Sequence, residues 1–375
     1  MNDIMKTHPA VFAVGREYQI MVPVSRPTLF WVEVGGACFY DDSNGILRSN
    51  VTTHRVSVPM DALDAAGGYT VCLQGIIERT PYFPKVEDIV RIPYAFRPVK
   101  PGRTVAYQIA DAHNMVAAPV AAAKAFEAAH GRLDLLILNG DVPDHSGRIE
   151  NFDNIYRIIS EITAGGIPAI FSRGNHDTRG FFAENIADHT PTDGGRSYFT
   201  FRLGDIWGIV MDTGEDKADS CDSYNGTICC EDFRRRETRF LARVIENAAS
   251  EYAAPGVAHR VVLAHLPFTW AYNAPFDIEA DTYKAWGALL RENVQPEVFL
   301  CGHLHKLTLE YPGGEHDAHG HPCPIAVGSR PMRGKDGAPD NFAGMGIIFD
   351  TSDEIFFTDA QGTVIEKHEI QIKEA

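Results

Sequence analysis

The chain has 375 residues, more than one hydrophobic core usually serves, so we expect two domains. Its formal net charge of −16 argues against duplex DNA or RNA as a main substrate, because an acidic surface repels polyanions. No apolar run approaches the roughly 20 residues that cross a bilayer, and the first residues lack the pattern of an export signal. Together with an odd count of seven cysteines, these features predict a cytoplasmic protein without membrane attachment.

The first part of the chain is rich in β-type runs separated by turns. Residues 1–100 contain runs such as YQIMVPV, TLFWVEV and YTVCLQGII, and they show no helical period. Short strands at this spacing predict a small all-β domain of immunoglobulin-like or fibronectin-like type. A segment with Pro and Gly near 93–103 is the expected linker, and residues 101–375 are the expected second domain. Whether the β domain steadies the second domain, covers its site or recruits a partner stays open.

From Thr104 onward, strand-like runs alternate with helical patterns, which predicts an α/β fold. Apolar spacing and composition indicate helices over 117–129, 150–164 and 232–251. A polar stretch over 212–233 is long for a loop, and loops of that length are often functional. The second domain is therefore expected to place functional loops around a mixed sheet.

Five strand-like apolar runs in this part end in polar residues that can bind metal ions. In chain order these residues are Asp111 and His113, Asp141 and Asp144, Asn175 and His176, His265, and His303 and His305. A buried strand has little structural reason to end in this way, whereas open α/β sheets place their ligands at the carboxyl ends of strands. A turn or a hydrogen-bonded core histidine would explain one such residue alone, but not the ordered series. The sequence therefore predicts a metal site at the edge of a sheet.

The ordered series also carries a family resemblance. The chain reads D-A-H, G-D-V-P-D, G-N-H-D, A-H-L-P and G-H-L-H, which resembles the calcineurin-like metallophosphoesterases over residues 104–310. The resemblance implies a four-layer αββα catalytic sandwich after the β domain. That arrangement is reminiscent of purple acid phosphatases, but here Asp-Ala-His replaces their D-x-G and Asp144 stands where their iron-ligating Tyr falls. A purple iron site is therefore not expected.

Hydrolysis of a phosphate ester needs a strong nucleophile at neutral pH and neutralisation of the phosphoryl charge. Two metal ions about 3.5–4 Å apart provide both, by acidifying a bridging water and clamping the phosphate oxygens. Asp141 is the natural bridging ligand. By the resemblance, the other ligands are Asp111, His113 and His305 for one ion, and Asn175, His265 and His303 for the other. Such mixed oxygen and nitrogen ligands suit Mn, Fe or Zn without choosing between them.

The resemblance assigns His176 as the general acid that protonates the leaving oxygen. Asp144 is then expected to orient its imidazole and to favour the protonated form. The predicted activity is hydrolysis of a small phosphorylated molecule by a metal-bridging hydroxide. The bond cleaved stays open between a phosphomonoester, a cyclic nucleotide or other diester, and a pyrophosphate. A metal-binding scaffold with vestigial hydrolysis is the alternative from another class, and the oligomeric state stays open.

Other polar side chains near the motifs have two interpretations each. Arg173 and Arg179 flank the G-N-H-D motif and would either contact a phosphate or form ordinary surface pairs. A turn with His316, His319 and His321 would either bind a metal or, as its glycines favour, lie in solvent. Their roles depend on packing that the sequence does not specify.

Overall fold

The structure, a computed structural model, describes residues 3–333 and 339–370. Its strands are β1 (Ala10–Val14), β2 (Glu17–Pro23), β3 (Thr28–Val34), β4 (Ala37–Tyr40), β5 (Asp42–Ser43), β6 (Ile46–Leu47), β7 (Thr53–Pro59), β8 (Gly68–Glu78), β9 (Lys85–Val86), β10 (Val90–Ala95), β11 (Thr104–Ile109), β12 (Leu135–Asn139), β13 (Ala169–Ser172), β14 (Phe199–Leu203), β15 (Ile206–Val210), β16 (His259–Leu263), β17 (Val298–Cys301), β18 (Thr308–Glu310), β19 (Ile325–Val327), β20 (Arg330–Arg333), β21 (Pro339–Phe349), β22 (Asp353–Asp359) and β23 (Val364–Ile370). Its helices are α1 (Met60–Ala66), α2 (Ala117–His130), α3 (Asp153–Thr163), α4 (Ile186–His189), α5 (Cys230–Glu246) and α6 (Ala280–Leu289), which a π-helical turn continues (Leu290–Val294).

The largest sheet has ten strands in the order β23-β22-β21-β11-β12-β13-β1-β2-β7, with β20 paired to β21. Its central strands β11, β12 and β13 are parallel, and every residue in them is buried. Strands covered on both faces read as continuous apolar runs in sequence, and these three do. Their carboxyl ends lie side by side and carry the first three polar motifs.

A six-stranded sheet ordered β14-β15-β16-β17-β19-β18 faces the ten-stranded sheet. The core between the sheets contains Leu135 of β12 and Leu263 of β16. Leu136 and Leu138 of β12 point to the opposite side and pack with α2 and α3, as expected from the alternation of side chains along a strand. On the outer face of the six-stranded sheet, α5 and α6 pack through residues such as Trp286. The layers therefore run helix, sheet, sheet, helix, as the predicted αββα sandwich requires.

The N-terminal part is rich in β-strands, as predicted, and it is tied to the rest of the chain. Strands β10, β8, β3 and β4 form a sheet of their own, with β9 beside β8. Strands β1, β2 and β7 instead extend the ten-stranded sheet, with Phe12 of β1 opposite Ala169 of β13 in parallel pairing. Ile20 and Val32 belong to the same core as Leu135. The domain boundary at residue 100 stays a prediction, and the largest sheet takes strands from both sides of it.

The three predicted helices are present with shifted ends. The prediction over 117–129 matches α2, while the one over 150–164 covers a 3-10 turn, Ile149–Phe152, followed by α3. The third, predicted over 232–251, is α5, which ends earlier because a separate 3-10 turn at Ala248–Ser250 follows. Within the described parts of the chain, no helix combines the length and apolar character needed to cross a bilayer.

Replacement of Phe12 by Ala should lower the free energy of unfolding by about 3–5 kcal/mol, because a fully buried ring leaves a cavity. Its ring meets that of Phe171 edge to face, with centroids 6.5 Å apart. Unfolding should remain a single transition, since β1 belongs to the shared sheet. Urea titration followed by circular dichroism measures both properties. Phe83→Ala is the matched control, since that ring is 91% exposed. Separate unfolding of the N-terminal strands would contradict the expectation.

Candidate metal centre

The polar motifs lie at strand ends in an unusual backbone conformation. Six residues there have positive φ although none is glycine: Asp111 (53°), His113 (43°), Asn114 (68°), Asp141 (53°), His303 (68°) and His305 (51°). Side chains other than Gly, Asn and Asp seldom adopt this left-handed region, and such outliers concentrate at functional sites. The strand ends are therefore bent so that the ligand side chains turn toward one another.

Glycines of the motifs let the strand ends approach closely. A Cβ atom on Gly174 would overlap the carboxylate of Asp141, and one on Gly140 would overlap the imidazole of His265. Gly140 also has a positive φ of 78°. Any side chain at these positions would push the candidate ligands apart, so the spacing G-D and G-N has a steric reason.

The first cluster comprises Asp111, His113 and His305, with their ligand atoms all within 4.8 Å of one another. Nε2 of His305 lies 3.3 Å from Oδ1 of Asp111 and 3.1 Å from Nε2 of His113. Asp111 is fully buried, and the backbone N–H of His303 donates to both of its carboxylate oxygens, at 3.1 and 2.9 Å. The structure thus brings together the residues predicted for the first ion.

The second cluster comprises Asp141, His265 and His303, again within 4.8 Å. Nε2 of His265 lies 3.1 Å from Oδ2 of Asp141, and Nδ1 of His303 lies 3.0 Å from Oδ1 of Asn175. Nδ1 of His265 donates to the carbonyl oxygen of Asn139 at 2.7 Å. That bond leaves Nε2 as the nitrogen that faces the cluster, as is usual for a metal-ligating histidine.

The arrangement of acceptor atoms around His265 favours a bound cation. Nε2 of His265 is buried without a hydrogen-bond partner, yet it faces the carboxylates of Asp141 at 3.1 Å and Asp111 at 3.7 Å. A neutral imidazole would present its lone pair to anionic oxygens, which is unfavourable in a buried site. A metal ion, or in its absence a proton, resolves the conflict. The donors are carboxylate, amide and imidazole groups without thiolate, which suits Mn, Fe or Zn.

The pKa values of His265, His303 and Asp141 reflect the charges around them. Burial lowers the pKa of His265, but the carboxylates of Asp141 and Asp111 have the larger combined effect and raise the pKa to about 10. Burial and the positive charge of His265 lower the pKa of His303 to about 4, so its imidazole is neutral at pH 7. Burial raises the pKa of Asp141, and the surrounding histidines outweigh it, so that its pKa lies below the ordinary value. The site thus favours positive charge between ionised carboxylates and neutral imidazoles.

His176 lies beside the clusters, and Asp144 contacts it differently from the expectation. Nδ1 of His176 donates to the carbonyl oxygen of Asp144 at 2.8 Å, not to its carboxylate. The Asp144 carboxylate lies instead 3.2 Å from Nδ1 of His113, and so leaves Nε2 of that ring for a metal. The main chain turns between Asp141 and Asp144, which places the carbonyl toward His176 and the side chain toward His113. Asp144 therefore positions both rings, through two different atoms.

Three acidic residues that the sequence did not single out support the centre. Asp177 is buried and accepts from the backbone N–H groups of Gly174 and Asp141, at 2.6 and 3.3 Å. Burial and the charge of Asp141 raise the pKa of Asp177 to about 8. Asp216 accepts from Nδ2 of Asn175 at 3.4 Å, and Glu215 beside it is also buried. The final D of G-N-H-D was the available signal for Asp177, whereas the other two lie in a polar loop without a motif.

The remaining candidates divide between packing and the site. Arg173 pairs with Asp212 through Nε at 2.7 Å and has a packing role, while Arg179 reaches His176. The expectation of a solvated histidine turn is wrong for His321, which is fully buried and lies 2.8 Å from the hydroxyl of Thr269. The tip of the turn, residues 311–315, is exposed as expected, whereas its later part bonds to residues 269–271 and brings His321 inside.

Residues 105–307 match the family model described as calcineurin-like phosphoesterase. The chain belongs to this family. The match covers all five motifs and ends just after G-H-L-H. The resemblance predicted from the motifs is therefore confirmed, and the Asp and His clusters of this calcineurin-like chain are able to bind metal ions.

A solved structure shares the fold of this chain. The purple acid phosphatase PPD1 from yellow lupin (Lupinus luteus) seeds is similar with a TM-score of 0.60 and 12% identity, over 97% of this chain and 74% of that chain. GAP50 of Plasmodium has a TM-score of 0.44 and 13% identity, over 73% of this chain and 90% of that chain. No curated protein matches the chain in sequence. The lupin structure confirms the predicted fold class, including the β-rich N-terminal part, and at this identity it shows the fold alone.

In metal-free calcineurin-like protein, the free energy of unfolding should fall as pH rises from 6.5 to about 10, because of the raised pKa of His265. A raised pKa stabilises the folded state below the unfolded value, and that stabilisation is lost as pH passes the folded value. Urea titrations with a chelator across this range measure the slope. Saturating Mn²⁺ should flatten it, since the ion replaces the proton. His265→Gln should also flatten it, and an unchanged slope in this variant would contradict the assignment.

Proposed function

We propose that this calcineurin-like protein is a metal-dependent phosphoesterase that cleaves a phosphate ester with His176 as general acid. The observation that carries the proposal is the position of Asp141, which belongs to the second cluster and whose carboxylate also lies within 4.8 Å of ligand atoms of His113, from the first cluster, and of His176. Two nearby cation sites with one carboxylate between them suit phosphoryl transfer to water. The family match supports the reaction class.

The ligand assignment follows the two clusters. Asp141 would bridge, with Asp111, His113 and His305 at one ion and Asn175, His265 and His303 at the other. Bound there, two ions of Mn, Fe or Zn would acidify water and neutralise charge on the phosphoryl group. The protein's own contribution is orientation: Asn139, Asp144 and Asp216 each fix one ligand side chain through the atom that does not face the centre.

His176 is suited to deliver a proton. Its side chain is 31% exposed, and Nε2 lies 4.0 Å from Oδ2 of Asp141, so the ring stands between solvent and the centre. The carbonyl of Asp144 accepts from Nδ1 and fixes the ring orientation. Nε2 is then the atom that can give its proton to a leaving oxygen.

Two alternatives to the proposed function concern the bond that is cleaved and the loss of hydrolysis. Cyclic nucleotides, other diesters and pyrophosphates remain alternatives, because the ligands serve all of them. A scaffold with vestigial hydrolysis is supported less well, since such a protein would be expected to lack a ligand or His176. The described residues contain the full predicted set, in contact with one another.

Replacement of His176 by Ala should lower kcat by about 10²–10⁴-fold while both ions remain bound, because a general acid is removed but no ligand. The assay uses p-nitrophenyl phosphate, bis-p-nitrophenyl phosphate and nucleotides with Mn²⁺, beside metal analysis of the protein. Asp141→Asn should instead lose bound metal together with activity.

The matched control is His130→Gln. This histidine lies at the far end of α2, about 20 Å of helix rise from its first residue. It should leave both kcat and metal content unchanged. Full activity of His176→Ala would refute its role, and a protein that binds no metal would refute the proposed function.

A further inference from the structure

Arg179 places a cation beside the candidate acid. Its Nη1 lies 3.1 Å from Nε2 of His176. The side chain is 32% exposed, so part of it is open to solvent, as is the ring of His176 at 31%. A single phosphoryl group is small enough to meet both groups, because their nitrogen atoms are only 3.1 Å apart.

Two acidic side chains hold the other two guanidinium nitrogens of Arg179. Nε donates to Oε1 of Glu215 at 2.9 Å, and Nη2 donates to Oε2 at 2.8 Å. Nη2 also lies 3.3 Å from Oδ1 of Asp216. This fork-to-fork pairing is both strong and directional, and Glu215 is only 1% exposed. Nη1 makes no contact with the acidic pair and is the nitrogen turned toward His176.

The acidic pair is itself held in place. The hydroxyl of Tyr224 donates to Glu215 at 2.9 Å or to Asp216 at 3.0 Å, and the hydroxyl of Thr178 donates to Glu215 at 2.9 Å or to the carbonyl oxygen of Asn175 at 2.7 Å. Arg173, the other arginine beside the motif, pairs with Asp212 away from His176. Of the two arginines, Arg179 is thus the one that lies against the candidate acid.

The number of free phosphoryl oxygens separates the substrate classes. A phosphomonoester has three non-bridging oxygens, and two cations bound at the candidate centre would neutralise charge on two of them. The third carries charge that needs a further donor. In a diester this position is esterified, so it carries no comparable charge and has bulk where Arg179 lies.

We propose that Arg179 binds the third non-bridging phosphoryl oxygen and makes the site selective for phosphomonoesters over diesters. The proposal rests on the phosphoesterase function above and names its substrate class. Terminal phosphates of nucleotides fall in the same class, since they also have three non-bridging oxygens. Glu215 and Asp216 are positioning residues that hold the guanidinium.

The decisive comparison uses one monoester and one diester with the same chromophore. With Mn²⁺ present, Arg179→Ala should lower kcat/KM for p-nitrophenyl phosphate by about 10–100-fold, as for the loss of a charge-assisted hydrogen bond. For bis-p-nitrophenyl phosphate it should change little or rise. Arg179→Lys should restore part of the monoester activity, because it returns the charge without the fork.

The matched control is Arg148→Ala. Arg148 is an exposed arginine in the adjoining loop. The same loop contacts Arg179 through Ser146, whose backbone N–H donates to the carbonyl of Arg179. It should leave the ratio of the two activities unchanged. Metal content and melting temperature of each variant are measured alongside. If Arg179→Ala fails to fold, Arg179→Lys decides, since it should still shift the ratio toward the diester.

Binding supplies a readout that needs no turnover. Calorimetric titration should show inorganic phosphate binding at least 10-fold more weakly to Arg179→Ala than to the wild type, with little change for dimethyl phosphate. Equal losses for both anions, or for both esters, would overturn the selectivity assigned to Arg179. A wild type that binds metal but hydrolyses neither ester nor any nucleotide would instead overturn the proposed function, and the phosphate titration would still test Arg179.

Discussion

Two buried carboxylates that face imidazole nitrogens are the constraint on which the site depends. Asp111 and Asp141 are 0% and 2% exposed, and Nε2 of His265 lies within 3.7 Å of both. Acceptor atoms this close repel one another strongly in a buried environment unless positive charge lies between them. The left-handed strand ends and the hydrogen bonds to the outer ring nitrogens have the same effect. They hold carboxylate oxygens and ring nitrogens close together, an arrangement that is favourable where a cation binds.

Holding the acceptors there requires that the two sheets keep one fixed relation. Nε2 of Gln108 donates to the carbonyl of Cys301 at 2.9 Å, and Nδ2 of Asn139 donates to that of Leu300 at 3.0 Å. The donors belong to the ten-stranded sheet and the acceptors to the six-stranded one. All four residues are buried, and an amide left unpaired there would cost about 1–3 kcal/mol. The bonded residues lie two or three positions before the candidate ligands, and their bonds fix the position of one sheet relative to the other.

The grouping of the candidate ligands could be predicted from sequence because each follows its own apolar run, so local pattern and residue type carry the signal. Pairing partners could not. The run AVFAV of β1 is equally apolar in a separate sandwich or beside β13, and only the folded chain places Phe12 against Ala169. Atom-level contacts were also out of reach. The G-D-x-x-D motif names Asp144, but whether its carbonyl or its carboxylate faces His176 depends on the turn. Glu215 comes from a loop whose composition has no pattern to recognise.

The centre and its surroundings therefore carry different kinds of information. A ligand set shared by a family identifies the reaction class, whereas the substrate is selected by loops that differ in length and composition. In this chain the two are physically joined. Asp216 fixes the amide of Asn175, and its neighbour Glu215 fixes Arg179, so one loop orients both a ligand and the cation beside His176. The loop cannot be exchanged to alter selectivity unless the replacement also supplies an acceptor for Asn175. That coupling restricts how the specificity of this site can change while its metal geometry is kept.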